Sequence, residues 1–515
     1  MSDLQEKVYY ITTPIYYVND VPHIGHAYTT IAADVVARYQ RLLGKPVFFL
    51  TGTDEHGLKI EKTANAKGLS AKELVDEVVE RFIHLWKVLN ISHDDFIRTS
   101  EERHHRAVNA FFKKVQEQGS IYLGHYEDWY CVPCETFWTE KQLDNKNCPE
   151  CGRPAEKVKE ESYFFAMSAF QERLLDYLQG HEDFVMPRSK LNEVLGFLRE
   201  DLRDLSISRS SFNWGIPVPG DERHVIYVWF DPLINYLTAA GFPDDQERFE
   251  RLWPADVHLI GKDILRFHAV YWPTFLFAAG LPLPRQVVAH GWWTVEGEKM
   301  SKSVGNVVDP EAVVEEFGVD AFRYFLLREV PFGADGDFSQ TAIKGRVNSE
   351  LANDLGNLLS RTVAMVKKYR QSVIPGADVE NVHYCEFSAL NDEVSLEVSR
   401  AMADLTFHKM LAAVWRLVEK CNRFIDEQAP WTLAKDESRA QDLDQVLYCV
   451  LESLRLISVY LSPVMPEKVR QMALQLGQPE PTASSGPEVF NWGALVTGGE
   501  VVKGKSLFPR IDAGH

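Results

Sequence analysis

Residues 8–26 read VYYITTPIYYVNDVPHIGH. The stretch begins as an apolar strand, and His23-Ile24-Gly25-His26 opens a long helix that is predicted to run to Leu43. His23 and His26 fall on one face of the helix start, where unpaired backbone N–H groups and the positive end of the helix dipole favour phosphate. Gly25 removes a side chain between the two imidazoles, so a flat ligand could lie against the backbone. The same residues also suit a helix cap with packing histidines, and this stretch alone does not decide between the two interpretations.

A parallel α/β sheet is predicted around this stretch. The helix stops at Gly44, and residues 46–52 form the next apolar strand, which completes a βαβ unit. TGTDEHG at 51–57 then lies at the carboxyl end of a strand, where open α/β sheets bind ligands. Polar or aromatic residues also follow three further predicted strands, which are His224–Phe230, Asp256–Ile260 and Gln286–Ala289. From Thr341 onward the pattern is helical and predicts an antiparallel bundle.

Length and composition indicate a soluble globular protein. The 515 residues are enough for about two to four domains. The net charge of −19 argues against nonspecific binding to nucleic acid, although basic side chains cluster locally in residues 341–370. The N-terminus has no apolar signal core, and the longest apolar run, near 269–283, is too short to span a bilayer. Seven cysteines without a secretory signal favour a reducing cytoplasm.

Four of these cysteines form two closely spaced pairs, Cys131-x-x-Cys134 and Cys148-x-x-Cys151. Each pair can chelate a metal from one tight knuckle, and four thiolates in tetrahedral geometry suit Zn²⁺. A site in which the protein supplies all four ligands is closed, so the zinc would be structural. The alternative is two cysteine pairs that stay reduced or become oxidised. Residues 116–225 are interpreted as an inserted domain because sheet-like patterns resume after them.

A second motif, Lys299-Met300-Ser301-Lys302-Ser303, follows the HIGH stretch at 23–26 far along the chain. This order of HIGH and KMSKS resembles the class I aminoacyl-tRNA synthetases. The strings TGTDEHG, WFDPLINY (229–236) and AHGWWT (289–294) resemble the methionyl-tRNA synthetase family, over essentially the whole chain. The resemblance implies a Rossmann-like nucleotide-binding catalytic domain with the inserted zinc-knuckle domain, followed by an all-α anticodon-binding helix bundle. The implied boundaries are 1–115 with 226–298 for the catalytic domain, 116–225 for the insertion, 299–345 for the KMSKS loop and stem-contact region, and 346–515 for the bundle.

The resemblance also implies roles for individual residues. Catalytic groups would be His23, His26, Lys299 and Lys302. Methionine would be bound by Ile15, Tyr17, Asp54, Trp229, Leu233, Tyr236 and His290. ATP would be bound by His23, Gly25, His26, Gly261, Asp263, Lys299 and Lys302. The anticodon would be bound by Asn357, Arg361 and Trp431. Taken without the family, Trp431 is more simply explained as a core residue. Pro232 departs from the small residue that the family often has, which affects the expected shape of the methionine pocket.

The expected function is ATP-dependent activation of L-methionine to methionyl-adenylate and its transfer to methionine tRNA, both initiator and elongator. Mg²⁺ would accompany ATP, and the protein would act in the cytoplasm as a monomer, without a membrane partner. One alternative is another class I synthetase, specific for leucine, isoleucine or cysteine, although the short insertion leaves little room for a large editing domain. The other is a catalytically silent tRNA-binding relative, which need not have kept His23, His26, Lys299 and Lys302.

Overall fold

A computed structural model describes most of the chain. The described residues are 7–18, 22–131, 136–138, 140, 142–149, 151–227, 229–299 and 307–511. The chain forms two compact units. The first contains residues 1–22, 47–87 and 93–290, and the second contains residues 23–46, 88–92 and 291–515. The domain boundaries given above stay predictions.

Six parallel strands form the central sheet of the first unit. In spatial order they are Asp95–Arg98, Val47–Asp54, Tyr9–Tyr17, Val257–Gly261, Gln286–His290 and Val185–Met186. Ile11 pairs in register with Phe49 on one side and Val257 on the other, and all three side chains are buried. Burial on both faces explains why these strands are apolar and rich in β-branched and aromatic residues. The predicted parallel α/β domain is confirmed, and its strands end at a common edge.

Helices of the first unit bury apolar side chains in one core with the sheet. Phe111 packs edge-on against Phe230, and Phe230 packs against Phe275. The α-helices that follow the second strand are Leu58–Lys67, Ala71–Val88, Glu102–Glu117, Gln171–Gly180, Arg188–Phe197, Phe230–Leu233, Asn235–Ala240, Gln246–Leu252 and Trp272–Ala279. Shorter helical turns are Met167–Phe170, Lys262–Ile264 and the π-helical turn Phe267–Tyr271.

Two antiparallel sheets lie in the same unit. One contains Thr136–Trp138, Ile121–Cys131, Glu156–Phe165 and Leu205–Ser206, in that spatial order, and the other contains Ile216–Val218, Asp221–Ile226 and Ser208–Arg209. The predicted strand His224–Phe230 is therefore wrong in extent and in place. The strand ends at Ile226 in an antiparallel sheet, and Phe230 begins a helix. An apolar run of this length fits a buried strand or a buried helix start equally well, and here packing against aromatic side chains decides.

The second unit begins with the helix Ile24–Leu42, one residue shorter than predicted. A small sheet contains, in spatial order, the strands Glu298–Lys299, Trp293–Val295 and Gly336–Phe338. The hairpin between the first two turns at Glu296 and Gly297, which both have positive φ. The remaining elements are helical, as predicted for the C-terminal region. They are Pro310–Phe317, Val319–Glu329, Gln340–Arg346, the π-helix Val347–Gly356, Asn357–Arg370, Val382–Ala403, Phe407–Gln428, Pro430–Leu433, Glu437–Arg439, Ala440–Leu461, Pro466–Leu476 and Pro487–Phe490. Among the described residues, none of the helices is both long and apolar enough to cross a membrane.

Candidate active site

The start of the helix Ile24–Leu42 is built from two histidines that cap each other. His23 is the N-cap residue, and its Nδ1 accepts a hydrogen bond from the Gly25 N–H at 3.1 Å. The Nδ1 of His26 accepts the His23 backbone N–H at 3.0 Å, and the two ring centres lie 3.9 Å apart. Because each ring uses Nδ1 as an acceptor, the neutral tautomer of each carries its proton on Nε2. The helix start therefore presents two N–H donors of the kind that bind phosphate.

The pKa of His26 lies well below its usual value. Removal of the ring from water is the main cause, and the neighbouring His23 imidazole lowers the pKa further. His26 is thus neutral at pH 7. Gly25 is needed for this arrangement, because a Cβ at that position would lie only 2.9 Å from Cε1 of His23. The glycine therefore makes room for an imidazole, in addition to its predicted role of leaving room for a ligand.

Tyr17 and Asp54 lie side by side at the carboxyl edge of the central sheet. The register of their two strands pairs Tyr17 with Asp54 and Ile15 with Gly52. The next turn is constrained by Gly57, whose φ is 118° and whose added Cβ would stand 3.0 Å from the Tyr17 hydroxyl. A side chain at Gly57 would thus be strained and would press on Tyr17. The edge combines a carboxylate with an aromatic ring, the pair predicted for an ammonium group and an apolar side chain.

The aromatic residues of the WFDPLINY string stack with side chains from a later segment. Trp229 stacks on Phe267 with ring centres 4.0 Å apart and an interplanar angle of 12°. The fully buried Tyr236 donates from its hydroxyl to Nε2 of His268 at 2.8 Å, and the Nδ1 of His268 lies 3.0 Å from the Ile264 carbonyl. Burial lowers the pKa of His268 to about 4, so the ring is neutral and accepts from Tyr236. These contacts form an aromatic wall.

Phe267 and His268 were not predicted from the sequence. They lie on the π-helical turn that follows Gly261 and Asp263. Their only sequence signal is that an aromatic residue and a histidine come six and seven residues after the strand that ends at Gly261, which is a common pattern in cores. What distinguishes Phe267 and His268 from ordinary core residues is their contact with the predicted pocket residues Trp229 and Tyr236. This contact is visible only in the folded structure.

Gly261 and His290 end neighbouring strands and are paired in register. A Cβ at position 261 would lie only 2.5 Å from Oδ1 of Asp263. The Asp263 carboxylate therefore occupies the space that a larger side chain would need. Leu233 is buried in the apolar core of the first unit. Of the predicted methionine and adenosine residues of the first unit, Ile15, Tyr17, Asp54, Gly261 and His290 lie on strands of the parallel sheet, whereas Leu233 and Tyr236 lie on helices. Lys299 lies in the strand Glu298–Lys299, and Lys302 falls outside the described residues.

Three of the four predicted metal ligands come together. The sulfur atoms of Cys131, Cys148 and Cys151 all lie within 4.8 Å of one another, and the Sγ atoms of Cys131 and Cys151 are 3.5 Å apart. Cys148 and Cys151 share a tight turn in which the Gly152 N–H donates to the Cys148 carbonyl at 2.8 Å. Such spacing fits thiolates that bind one ion at ~2.3 Å from each sulfur. The cluster could therefore hold a metal ion; Cys134 falls outside the described residues.

Metal analysis of the purified protein is expected to return about one Zn²⁺ per chain, because thiolates at this spacing favour zinc. Replacing Cys148 with serine should lower that content severely by removing a buried ligand. Cys385→Ser, at an exposed cysteine outside the cluster, is the matched control and should keep its zinc. An absence of zinc after anaerobic purification, or equal zinc in both variants, would contradict the assignment.

The predicted anticodon residues are accessible from water on the second unit. Asn357 and Arg361 lie one turn apart on the helix Asn357–Arg370, and Arg361 donates to Asp426 at 2.8 Å. Trp431 is 43% exposed at the turn that follows Ala429, whose φ is positive. The simpler interpretation of Trp431 as a core residue is therefore wrong. An exposed indole is suited to stacking with unstacked RNA bases, and an amide and a guanidinium are suited to hydrogen bonding with base edges.

The chain was compared with known proteins. The family model described as tRNA synthetases class I (M) matches residues 9–160 and 151–363. A methionine–tRNA ligase of Caldanaerobacter subterraneus subsp. tengcongensis is 53% identical over 508 residues, which is 98% of this chain and 79% of that protein. One from Rickettsia felis is 47% identical and covers 98% of this chain and 99% of its own. A solved structure of Mycobacterium tuberculosis methionyl-tRNA synthetase in complex with methionyl-adenylate is also similar, with a TM-score of 0.93, 43% identity, and coverage of 98% of this chain and all of that one.

These similarities extend over nearly the entire chain. The sequence identities of 43–53% are far above those of proteins that share only a fold. They agree with the HIGH and KMSKS motifs, the parallel sheet and the helical C-terminal region. The chain belongs to the methionine–tRNA ligase family of class I aminoacyl-tRNA synthetases.

Proposed function

We propose that the protein is a methionine–tRNA ligase, which activates L-methionine with ATP and transfers the methionyl group to methionine tRNA. The main support is nearly full-length similarity to methionine–tRNA ligases, together with the aromatic wall formed by Trp229, Phe267 and Tyr236. The initiator and the elongator tRNA would both be substrates. We expect a cytoplasmic monomer, and light scattering after size-exclusion chromatography would test its oligomeric state.

In the first step, Asp54 and the backbone of Ile15 would hold the α-amino group of methionine. Tyr17, Trp229, Leu233, Tyr236 and His290 would surround the side chain. A polarizable thioether gains from contact with aromatic rings, and the stacked Trp229 and Phe267 offer such a surface. The neutral, buried His268 adds a fixed polar group behind Tyr236. Methionine selectivity would thus arise from shape and sulfur–aromatic contact.

In the same step, a methionine carboxylate oxygen attacks the α-phosphorus of ATP, and the bond to the β-phosphate oxygen breaks to release pyrophosphate. His23 and His26 would donate from Nε2 to phosphate oxygens, while Lys299 and Lys302 would stabilise the pyrophosphate charge. Gly261 and Asp263 would bind the adenosine, with Asp263 accepting from ribose hydroxyls. Mg²⁺ bound to ATP would neutralise part of the phosphate charge. The protein would act by position and electrostatics, without a protein nucleophile.

Methionine-dependent ATP–pyrophosphate exchange, run against a panel of amino acids, tests this proposal. Methionine should support the fastest exchange. Faster exchange with leucine, isoleucine or cysteine would favour another class I synthetase. Binding of tRNA without adenylate formation with any amino acid would favour a catalytically silent relative.

Replacing Trp431 with alanine should lower kcat/KM for tRNA charging by about 5- to 150-fold, because stacking of one base is worth ~1–3 kcal/mol. The exchange reaction should be unchanged, since it does not involve the anticodon. Both rates are measured on the same preparation. Leu474→Ala, at an exposed apolar residue on the helix Pro466–Leu476, is the control and should leave charging intact. A parallel fall in exchange would instead make Trp431 a packing residue.

A further inference from the structure

A buried carboxylate, Asp231, lies between two buried histidines in the first unit. The Nδ1 of His56 is 2.7 Å from Asp231 Oδ2, and the Nε2 of His104 is 2.8 Å from Asp231 Oδ1. All three side chains are at most 3% exposed. A carboxylate this deeply buried is costly unless it is fully paired, so the two imidazoles determine whether the charge is tolerated.

The three residues come from segments that are far apart in the sequence. His56 follows Asp54 in the TGTDEHG loop, and its backbone N–H donates to Asp54 Oδ1 at 3.4 Å. Asp231 lies two residues after Trp229, at the start of the helix Phe230–Leu233. The His56–Asp231 contact therefore joins the segment that carries the proposed partner of the α-amino group to the segment that carries the proposed wall of the side-chain pocket.

His104 anchors the same carboxylate from the other side. It lies on the helix Glu102–Glu117, and its Nδ1 is 3.1 Å from the Thr238 hydroxyl on the helix Asn235–Ala240. Asp231 is thus held between a loop and a helix that itself packs in the core. A carboxylate whose two oxygens are both hydrogen-bonded to fixed partners has little freedom to move. The backbone turn that carries Asp231 is restricted in the same way.

Electrostatics strengthens this contact. Burial on its own would raise the pKa of Asp231, but the two imidazoles hold it well below its usual range. Burial would lower the pKa of His56, yet the carboxylates of Asp231, Asp54 and Glu55 together raise it. The neighbouring His105 ring, 5.5 Å from the His56 ring, adds a further polar group to this environment. The favoured state is an ionised Asp231 that is hydrogen-bonded on both sides.

The backbone of Trp229 needs such support. Its φ is 22° and its ψ is −16°, a conformation that is unfavourable for a residue with a large side chain. A residue in a strained conformation stays there only when the surrounding structure holds it. Stacking on Phe267 holds the indole, and Asp231 holds the backbone two residues further on.

We infer that Asp231 is a positioning residue for the amino-acid pocket, which it sets through its paired bonds to His56 and His104. It fixes the turn carrying Trp229 against the loop carrying Asp54, so that both face one methionine molecule. This inference rests on the assignment of the pocket in the proposed function. Asp231 does not itself touch the substrate, so its removal should act on methionine binding more than on the chemical step.

Asp231→Asn should raise the KM for methionine in ATP–pyrophosphate exchange by about 10- to 100-fold, the usual range when a positioning partner is lost or a group moves by ~1 Å. The KM for ATP and the kcat at saturating methionine should change little. Asp256→Asn is the matched control: Asp256 is also buried in the first unit and accepts the Tyr10 N–H at 2.8 Å, and it precedes the strand Val257–Gly261 at the end opposite Gly261. Its KM for methionine should stay at the wild-type value.

Two substitutions at His104 keep the test decisive if Asp231→Asn does not fold. His104→Gln keeps an N–H donor near the position of Nε2 and should retain a low KM for methionine, whereas His104→Leu removes the donor and should raise it. A general loss of packing would affect both alike, along with kcat and the KM for ATP. Equal KM values for His104→Leu and wild type would overturn the inference.

Trp229→Ala separates this inference from the proposed function. If Trp229→Ala leaves the KM for methionine unchanged, the pocket assignment fails and the inference fails with it. If Trp229→Ala raises that KM while Asp231→Asn and Asp256→Asn both leave it unchanged, the pocket stands and the positioning role of Asp231 is wrong.

Discussion

Replacing His26 with asparagine is expected to lower kcat for methionine-dependent ATP–pyrophosphate exchange by about 10²- to 10³-fold, the usual loss when one transition-state donor is removed. Asparagine can place its carbonyl oxygen near the position of Nδ1, so it can still accept the His23 N–H that His26 accepts at 3.0 Å. It has no donor at the position of Nε2. The variant should therefore keep its helix start and its thermal stability while losing catalysis.

His26→Gln provides the converse test. Its amide N–H can reach the position of Nε2, but it supports the capping contact poorly, so it should retain more activity than His26→Asn and lose more stability, by about 0.5–2 kcal/mol. His84→Asn, on the exposed face of the helix Ala71–Val88, is the control and should change neither property. If His26→Asn is as active as the wild type, then His26 is only a capping residue.

The second large effect is expected on stability, at the fully buried Arg323. Its guanidinium donates to Asp34 Oδ2 at 2.6 Å and to the carbonyl of Val464 at 2.8 Å, within the second unit. Arg323→Met should lower the free energy of unfolding of this unit by about 3–5 kcal/mol, because it leaves a buried carboxylate without its fully buried arginine partner. The guanidinium chloride unfolding midpoint and the associated m-value measure the change.

The remaining partners of Asp34 determine the pH dependence. Burial would raise the pKa of Asp34, but Arg38 and Arg323, together with hydrogen bonds from Ser92, lower it from 3.8 to about 2. A carboxyl with a lowered folded-state pKa stabilises the fold above its unfolded pKa, and this contribution is lost as the pH falls through the folded-state value. The wild type should thus lose this contribution between about pH 4 and pH 2, and Arg323→Met should show a smaller dependence there.

Two further variants make the test specific. Arg416→Met removes an exposed arginine that lies 2.6 Å from Glu393 and should cost less than about 1 kcal/mol. Replacing Asp34 with leucine in the Arg323→Met background should recover part of the loss, because the buried carboxylate that has lost its buried partner is then removed. Equal costs for Arg323→Met and Arg416→Met would show that the buried pair adds nothing beyond a surface pair.

Several features were predictable because they depend on neighbouring residues. The strands Tyr9–Tyr17 and Val47–Asp54 are largely buried on both faces, so apolar and β-branched residues predominate in their sequences. The helix that begins at Ile24 has its cap, its apolar periodicity and its glycine stop within one stretch. The cysteine pairs carry their spacing in the sequence, and the fold brings Cys131 to the pair formed by Cys148 and Cys151.

Other features could not be predicted because distant residues decide them. Residues 227–230 were assigned to a strand, but packing places Phe230 in a helix. Phe267 and His268 could be assigned to the aromatic wall only from the folded structure, in which they contact Trp229 and Tyr236.

The sequence by itself determined the family, the parallel α/β and helical architecture, and the residues expected to bind methionine, ATP, metal and anticodon, because motifs and hydrophobic periodicity are local. Only the tertiary structure decided that Trp431 is exposed, that burial lowers the pKa of His26, and that Asp231 is held by His56 and His104. Burial and pairing depend on atoms that lie far away along the chain, 175 residues for His56 and Asp231 and 289 for Asp34 and Arg323, and no local pattern records them.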